Sequence, residues 1–597
     1  MKIRQRTEVP VEDTWALEDI FATDLDWEQA MSTAKSEIAD IQKYQGQLCQ
    51  GAQPLRKGLD AQSRLSLMLE RVYTYACMRR DQDNGDSRYH GMADRATSLL
   101  IEMSSACSFF VPEILEIDGD TLRRWSQLPE LASYRHQIDD LLRGKLHVLS
   151  RAEERLLAMA GELTEAPQNI YRVMDNADLS FPSVQVEGQS VQLTHGNFVH
   201  LMENHDRTLR KNAFSSFYGA YQGFKNTYAA TLGSAVKGDV FNARARKYPS
   251  ALEAALHEDN VPTAVYDSLI AAVHQKLPAL QRYMDIKKRI LQLDELHMYD
   301  IYAPLSTADF SVEYPEAQRM VMEGLAPLGE DYAHMLRTAF SSRWIDIYEN
   351  RGKSSGAYSW GCYGTHPFVL LNYQPGIDSV FTIAHELGHA LHSYYSDRTQ
   401  DYNNAQYRIL VAEVASTVNE SLLMQHLLAT ETQPDRRLRL LNYHLEQFRT
   451  TVYRQVMFAE FEKMTHDMAE RGEALTADTF QSVYTQLNAQ YYGQNVVQDE
   501  GIGMEWARIS HFYNAFYVYK YATGFAAAVA ISRAIREEGQ IAVDRYHAFL
   551  CSGGSDYPLE LLKRAGVDLS RPDPVQSALD VFEAGVDELE AQFLSQT

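Results

Sequence analysis

Apolar positions recur at helical spacing through most of this 597-residue chain. A capping box at 150–153 predicts the start of a helix over 151–163, and long helical patterns return between 197 and about 292. The sequence contains no low-complexity run and no long linker rich in Pro, Gly or Ser. It therefore predicts a mainly α fold whose lobes pack closely.

Two stretches alternate instead with the period of two that is typical of strands. The first surrounds 187–189 and predicts a β-hairpin. We take this hairpin as the boundary between an N-terminal helical lobe, 1–195, and a catalytic lobe, 196–597. The second stretch covers 353–374, where glycines punctuate the pattern and 367–373 is predicted to form a short apolar strand.

The helical pattern after Gly376 is the most informative one. Asp378 and Ser379 are candidate N-cap residues. The apolar positions that follow form a wide stripe at helical spacing: Val380, Phe381, Ile383, Ala384, Leu387, Ala390 and Leu391. The same segment carries histidines and a glutamate. Burying such polar side chains in a mostly apolar helix costs free energy unless they bind a partner, so the pattern favours a functional site.

The segment His385-Glu386-Leu387-Gly388-His389 matches the H-E-x-x-H pattern. Residues four apart project from one helix face, so His385 and His389 can reach one metal ion. Glu386 can then act as a general base toward water. Catalytic zinc usually has three protein ligands, whereas structural zinc has four. The metzincin continuation fails, because positions 392 and 395 are His and Tyr where Gly and His are required.

The third metal ligand must therefore come from elsewhere. Glu413 lies 24 residues after His389, which leaves room for a loop and a returning helix, and it is our predicted ligand. Glu420 is seven residues further on and shares its helix face, so we expect it to support the site. His392 is an alternative third ligand on the first helix. Asp378 is either an N-cap or the carboxylate that orients a ligand histidine.

Several segments carry a family resemblance: 385–392 (HELGHALH), 413–416 (EVAS), 14–17 (TWAL), 355–358 (SGAY), 511–513 (HFY), 517–524 (YVYKYATG) and 553–558 (GGSDYP). Together they resemble the thimet-oligopeptidase-like metallopeptidases, specifically the oligoendopeptidase F branch. The resemblance covers nearly the full chain and is weaker before about residue 200. One departure is Ser510, where the family pattern has Pro; the change affects the backbone before His511 and removes no chemical group.

The resemblance implies a zinc endopeptidase that cleaves short, unfolded peptides. It implies one Zn²⁺ per chain, bound by His385, His389 and Glu413, with Glu386 as the general base. The implied fold is mainly α, with two helical lobes around a deep substrate channel and a small β-sheet beside the zinc-binding helix. Folded proteins would not enter such a channel.

The β-rich stretch is a candidate substrate site. A peptidase must hold an extended substrate beside the metal, and main-chain hydrogen bonds from a strand edge achieve this. We predict that Gly356, Ala357 and Tyr358 form that edge, chiefly because the resemblance supports it. The alternative is an ordinary hairpin that packs under the catalytic helix.

The aromatic stretch 506–524 is a candidate for stabilising the oxyanion of the reaction, because imidazole and phenol groups are suitable donors. If this stretch is helical, Tyr517 and Tyr521 share one face, His511 lies near them, and Tyr519 points elsewhere. We predict catalytic roles for His511, Tyr517 and Tyr521. The alternative is an aromatic core stripe, which is the usual fate of tyrosines at helical spacing.

Composition limits the partners. The chain has 56 basic and 80 acidic residues, hence a net charge of −24, which disfavours nucleic acid. Pro10, Glu12 and Asp13 interrupt any signal-peptide pattern, and the longest apolar stretch, 525–531, is far shorter than a membrane span. The five scattered cysteines fit a reducing compartment, and Cys362 is expected to be a packed thiol. We therefore expect a cytoplasmic protein that binds no membrane; the resemblance implies short peptides as its partners, and we expect a monomer or small homo-oligomer.

Two other functions remain open. A peptidyl-dipeptidase or carboxypeptidase of the same zinc class would need a cationic clamp for the substrate carboxylate, for which Arg508 and Lys520 are candidates. A non-catalytic peptide-binding zinc protein is the other, although the intact Glu386 argues against it. Cobalt or manganese could replace zinc, and the sequence gives neither cleavage preference nor oligomeric state.

Overall fold

The computed structural model describes residues 3–306, 308 and 310–596. Helices dominate, and the predicted mainly α fold is confirmed. The first fifteen helices are α1 (Asp24–Ile41), α2 (Ala52–Asp81), α3 (Ser87–Ala106), α4 (Phe110–Glu116), α5 (Gly119–Ser126), α6 (Arg135–Gly144), α7 (Arg151–Val173), α8 (His195–Met202), α9 (Arg207–Gln222), α10 (Lys225–Ala245), α11 (Ala251–His257), α12 (Thr263–Gln275), α13 (Leu277–Ile290), α14 (Tyr314–Gly324) and α15 (Glu330–Ser341).

The remaining helices are α16 (Ile377–Thr399), α17 (Tyr402–Ala405), α18 (Ile409–Thr430), α19 (Pro434–Phe448), α20 (Arg454–Glu470), α21 (Ala477–Tyr492), α22 (Tyr519–Glu538), α23 (Gln540–Leu550), α24 (Pro558–Arg564) and α25 (Asp573–Gln596). The strands are β1 (Ser183–Val186), β2 (Gln189–Gln192), β3 (Leu296–His297), β4 (Ile345–Asp346), β5 (Tyr358–Trp360), β6 (Phe368–Leu370) and β7 (Val496–Val497). They form three small sheets with the orders β1-β2, β3-β7 and β4-β6-β5.

The chain divides into two compact units, each assembled from three separate stretches. The first unit takes 1–146, 310–426 and 531–566, and the second takes the rest. The predicted lobes, 1–195 and 196–597, do not match this division. The hairpin at the predicted boundary does form, but β1 packs against α9, and both lie within the stretch 147–309 of the second unit.

The first unit is built around helices α1 to α3 and the sheet β4-β6-β5. In the sheet, β4 and β6 are parallel, β5 and β6 are antiparallel, and β6 is fully buried in the centre. One apolar core contains side chains from all these helices and from β5 and β6, including Trp27, Tyr75 and Phe368. Cys362 belongs to the same core, and burial raises the pKa of its thiol to about 11, so its predicted role as a packed thiol is confirmed.

A buried ion cluster ties the N-terminal segment to this sheet. The Asp346 carboxylate, on β4, has no exposed surface and pairs with Arg6 at 2.5 Å and with Lys353 at 2.7 Å. Burial alone would raise the pKa of Asp346, but the hydrogen bonds and charges of the two cations lower it. Removing one partner from such a cluster leaves an uncompensated buried charge, so the cluster holds the N-terminal segment in place.

Helix α16 forms where the apolar stripe predicts it, but its start differs from the prediction. Gly376 is the N-cap, with extended backbone, and no side chain caps the helix. Asp378 is exposed in the first turn, where its charge suits the helix dipole. The Ser379 hydroxyl instead accepts a hydrogen bond from the backbone N–H of Gln374 at 3.3 Å. The sheet β4-β6-β5 packs against α16 through β5 and β6, which confirms the predicted small sheet beside this helix.

By length and composition, the stretch Ser87–Glu116 is apolar enough to cross a membrane. It is two helices, however, because α3 ends at Ala106 and α4 begins at Phe110. Its buried residues pack into the cores shared with α1 and α2. Only 17% of the apolar window is buried, but one stretch that passes a test of length and composition is weak evidence for a membrane span.

Candidate metal centre and active site

Helices α16 and α18 pack unusually closely at Gly388. A Cβ atom at this position would lie 2.5 Å from the Cα of Ser416 and 2.8 Å from the carbonyl oxygen of Ala415. The Asn419 side chain also donates a hydrogen bond to the Ala384 carbonyl at 2.9 Å, which joins the two helices through the core. Glycine is therefore required for this contact, which places α18 directly beside the H-E-x-x-H turn.

The close contact brings together the three predicted metal ligands. The Nε2 atoms of His385 and His389 lie 3.1 Å apart. The Glu413 Oε2 atom lies 3.5 Å from the first nitrogen and 3.6 Å from the second. Among the described residues, this is the one group of His, Cys, Asp or Glu side chains with three ligand atoms so close together.

The triangle of donor atoms fits a zinc ion. Tetrahedral zinc with ligand distances of about 2.0–2.1 Å requires neighbouring ligand atoms to be about 3.3–3.4 Å apart. The three observed separations, 3.1, 3.5 and 3.6 Å, average to that value. Two neutral imidazole nitrogens and one carboxylate oxygen are also the donor set of catalytic zinc sites that keep one position open.

Outer contacts aim both imidazoles at the metal position. The Nδ1 atom of His385 is hydrogen-bonded to Glu420, and the His389 ring is hydrogen-bonded to the backbone carbonyl of Ala412. Burial would lower the pKa of His385, but the hydrogen bond and charge of Glu420 raise it to about 9. Burial and the neighbouring His385 lower the pKa of His389 to about 3. Partners of this kind fix the ring orientation of metal-binding histidines.

Glu420 thus has the supporting role expected of it, and two alternatives are wrong. Asp378 does not orient a ligand histidine, because it lies exposed in the first turn of α16. His392 is not the third ligand: it is 1 % exposed and stacks on Tyr407, with ring centroids 3.7 Å apart. Spacing alone would allow His392 to share the face of the two ligands, but its ring is held in the core between Tyr407 and Phe549.

Glu386 has the environment of a general base. The residue is 7 % exposed, and burial raises the pKa of its carboxyl group to about 7. The nearby His385 lowers this pKa, whereas the charges of Glu413 and Glu420 raise it, and a hydrogen bond from the Ser359 backbone N–H lowers it slightly. A base whose pKa lies near neutrality can both take up and release a proton at physiological pH.

The predicted substrate strand lies beside this base. Strand β5 pairs with β6 along one side, and its residue Ser359 contacts Glu386. Gly356 has a φ of +82°, which favours glycine, and lines a cleft of about 330 Å³ together with Ala357. The Tyr358 hydroxyl donates to Asp81 at 3.0 Å, so its side chain is committed to packing. Peptide binding by residues 356–358 stays a prediction, and it would use the backbone.

His511, Tyr517 and Tyr521 lie in the second unit, where the structure brings them together. The His511 Nε2 atom is 3.1 Å from the Tyr521 hydroxyl, and the Tyr517 ring lies 5.4 Å from that of Tyr521. The stretch is not one helix, because His511 lies in the 3-10 turn Ser510–Tyr513 and α22 begins at Tyr519. Burial and Arg454 lower the pKa of His511.

Other residues of this aromatic stretch serve the core of the second unit. Tyr519 is fully buried, as expected of the tyrosine that points elsewhere. Arg508 pairs with Glu505 at 3.0 Å and Lys520 pairs with Asp259 at 2.6 Å. Both candidate cationic clamps are therefore held by carboxylates of the second unit, Lys520 by Asp259 alone and Arg508 by Glu505, which Arg454 shares at 2.6 Å. These contacts argue against recognition of a substrate carboxylate by Lys520 and leave a shared partner for Arg508.

Sequence reasoning missed three contacts of the site: the Ser359 N–H on Glu386, the Ala412 carbonyl on His389, and the close approach at Gly388. The first two are backbone groups, which carry no residue-type signal. The third contact could have been inferred from the sequence. Glycine inside a long helix lowers stability, so Gly388 indicates that another segment packs closely against α16 at this position.

Comparison with known proteins agrees with this geometry. The family model described as Peptidase family M3 matches residues 200–581, which is more than half of the chain. The chain belongs to peptidase family M3. A second model, described as Oligopeptidase F, matches residues 113–181. The protein is therefore a metallopeptidase, and the resemblance seen in its motifs is confirmed.

Close relatives extend over the whole chain. Oligopeptidase PepF of Bacillus subtilis (strain 168) is 46% identical over 99% of this chain and 88% of the relative. An oligoendopeptidase F homolog of Lactococcus lactis is 40% identical over 98% of both chains. The crystal structure of oligoendopeptidase-F from Enterococcus faecium is 37% identical, covers 96% of this chain and 99% of its own, and superposes with a TM-score of 0.74.

Proposed function

We propose that this protein is a zinc-dependent endopeptidase that hydrolyses internal bonds of short, unfolded oligopeptides. The observation that carries the proposal is the triangle of His385, His389 and Glu413 with the buried Glu386 beside it. The names of the relatives, oligopeptidase and oligoendopeptidase F, support the choice of substrate.

His385, His389 and Glu413 would hold one zinc ion per chain. Bound zinc supplies Lewis acidity, which acidifies water and polarises a carbonyl oxygen. Glu420 keeps the His385 imidazole in its binding orientation. The Ala412 carbonyl does the same for His389.

Glu386 moves the protons of the reaction. Its carboxylate takes a proton from the attacking water and then delivers that proton to the nitrogen of the leaving amine. The raised pKa of about 7 suits both transfers. Burial keeps bulk water from competing for the same proton.

The remaining roles belong to the substrate strand and the aromatic cluster. We assign the backbone of residues 356–358 to holding an extended peptide, which is supported by the position of β5 next to Glu386. We assign oxyanion stabilisation to His511 and one of its two tyrosines, supported by their mutual contacts and by the family resemblance. A channel that admits only short peptides, and a cytoplasmic location, are part of the same proposal.

Product analysis tests the proposed activity. A peptide of about ten residues, acetylated at its N-terminus and amidated at its C-terminus, is digested and the fragments are identified by mass spectrometry. Cleavage at internal bonds supports an endopeptidase, whereas failure to cut until the C-terminal carboxylate is freed supports a peptidyl-dipeptidase or carboxypeptidase. Glu386→Gln is the matched control, since it removes the base without changing the size of the side chain.

A further inference from the structure

A second cavity of the first unit is lined by Ser359, which contacts Glu386, and has no role in the proposed chemistry. Its volume is about 400 Å³, and it is lined by residues of β5, of the loop that follows β5, of α16 and of α17. Two carboxylate residues line it, Glu70 from α2 and Asp397 from α16. Aromatic side chains form much of the remaining wall: Trp360, Tyr363, Tyr402 and Tyr407.

The carboxylates lack cationic partners. Neither Glu70 nor Asp397 forms an ion pair within the described part of the chain, and none of the described residues lining the cavity is Lys or Arg. The Glu70 carboxylate accepts hydrogen bonds from the Gln406 amide at 3.3 Å, from the Tyr402 hydroxyl and from the Tyr363 backbone N–H, none of which carries a positive charge. His366 also lines the cavity, but its ring is paired with Asp19 at 2.9 Å.

Carboxylates placed in this way are costly unless a cation joins them. Burial and the charge of Asp397 raise the pKa of Glu70 to about 7, and burial raises the pKa of Asp397 to about 6. A bound cation would offset both penalties. The aromatic walls suit the same kind of ligand, because ring faces attract ammonium and guanidinium groups.

Two elements lead from the active site into this cavity. On α16, Asp397 follows the metal ligand His389 by eight residues, which corresponds to about 12 Å along a helix. On the other side, Ser359 both contacts Glu386 and lines the cavity, so β5 runs from the base into the cavity wall. A peptide that lies along β5 would therefore reach the cavity about three or four residues from its scissile bond.

We propose that this cavity is a subsite for a cationic group of the substrate, with Glu70 and Asp397 as the residues that recognise it. The ligand is an ammonium or guanidinium group, supplied either by a Lys or Arg side chain or by the free amino terminus of the peptide. The subsite rests on the proposed function, because it assumes that a peptide lies along β5. It makes peptides with a positive charge at one fixed distance from the cleaved bond the preferred substrates.

The test compares peptides that differ in one charge. A series with both ends blocked carries either Lys or norleucine at each position from the second to the fifth residue on either side of the cleaved bond. At one position, Lys should raise kcat/KM by about tenfold or more, the size expected of a hydrogen-bonded charge pair. A second pair of peptides places either a free or an acetylated amino terminus at the same distance from the cleaved bond. A higher kcat/KM for the free terminus shows that its ammonium group can replace the Lys side chain.

Glu70→Gln and Asp397→Asn should each reduce this Lys-to-norleucine ratio toward one, since both keep the side-chain volume and remove the charge. Asp94→Asn is the control: it removes one negative charge from an exposed position on α3 of the same unit and should leave the ratio unchanged. A wild-type ratio near one at every position overturns the subsite. So does a ratio that both cavity variants leave intact.

A binding measurement separates this proposal from the proposed function. If the wild-type protein cleaves none of the peptides, the proposed function fails, and calorimetry then tests the subsite directly. The Glu386→Gln protein should bind the Lys peptide at least about tenfold more tightly than the norleucine peptide. Equal affinities overturn the subsite. Thermal unfolding of each variant shows whether it is folded. If one of Glu70→Gln and Asp397→Asn does not fold, the comparison is made with the other.

Discussion

Gly388→Ala should impair metal binding although it adds a single methyl group and replaces no ligand. The new Cβ would lie 2.5 Å from the Cα of Ser416 and 2.8 Å from both the N atom of Ser416 and the carbonyl oxygen of Ala415. Carbon atoms in contact are normally about 3.5–4.0 Å apart, so α16 and α18 would have to separate by about 1 Å. Backbone atoms cannot rotate out of the way as a side chain can.

Two effects on stability oppose each other. Alanine gains about 1 kcal/mol over glycine inside a helix, whereas overpacking costs about 1–3 kcal/mol. Because the obstruction is backbone, we expect the upper end of that cost and a net loss of about 1–2 kcal/mol. Metal sites tolerate ligand shifts of only about 0.2 Å, so a displaced α18 should weaken zinc binding by about 10–100-fold or more through Glu413 and Glu420.

Zinc affinity is measured by competition with a chromophoric chelator, and stability by calorimetry of the same samples. Gly376→Ala is the matched control, since position 376 is the N-cap of the same helix, has extended backbone, and would leave an added Cβ atom with nothing within 4 Å. The control should bind zinc like the wild-type protein. If Gly388→Ala also binds zinc with wild-type affinity, the close helix contact does not position Glu413, and the reasoning is refuted.

Three further predictions follow from the site and the N-terminal ion cluster. Glu413→Ala should remove most of the bound metal, whereas His392→Ala should leave metal content nearly intact; the opposite result, by metal analysis, would favour the three-histidine site. Glu420→Gln should weaken metal affinity by about 10–100-fold, because His385 loses its charged partner; unchanged affinity would contradict this. The pKa of Asp346 is lower in the folded protein than its value near 3.8 in the unfolded chain, so its ion pairs stabilise the fold above that pH and this stabilisation is lost as the pH falls further. Asp346→Asn should therefore make the free energy of unfolding depend less on pH in this acidic range. An unchanged pH dependence would contradict the role given to the ion cluster.

The parts of the site that rest on local spacing were predictable from sequence. The stripe of apolar residues indicated the helix, and the spacing of four put His385 and His389 on one face. Glu413 and Glu420 were predicted from the same kind of periodicity. The choice between Glu420 and Asp378 as partner of a ligand histidine needed the structure, because it depends on where α18 returns.

Contacts between distant segments account for what sequence reasoning missed. Whether one helix carries the His511 cluster could not be decided from the sequence. It does not, since Phe516 adopts a φ of +58° and its N–H donates a hydrogen bond to the buried Glu462 at 3.0 Å. The hairpin at 183–192 was predicted correctly as an element but wrongly as a boundary, because its packing against α9 is a tertiary contact. Local pattern carries no information about such contacts.

The central claim is that Glu386 is the base of a metal-dependent hydrolysis and not a metal ligand. Metal content and peptide turnover of Glu386→Gln, measured on one sample, test it most directly. The account predicts about one zinc ion per chain, as in the wild-type protein, and a kcat lower by several orders of magnitude, since base and metal act as a unit. Turnover close to that of the wild-type protein, or loss of the metal together with the activity, would contradict it.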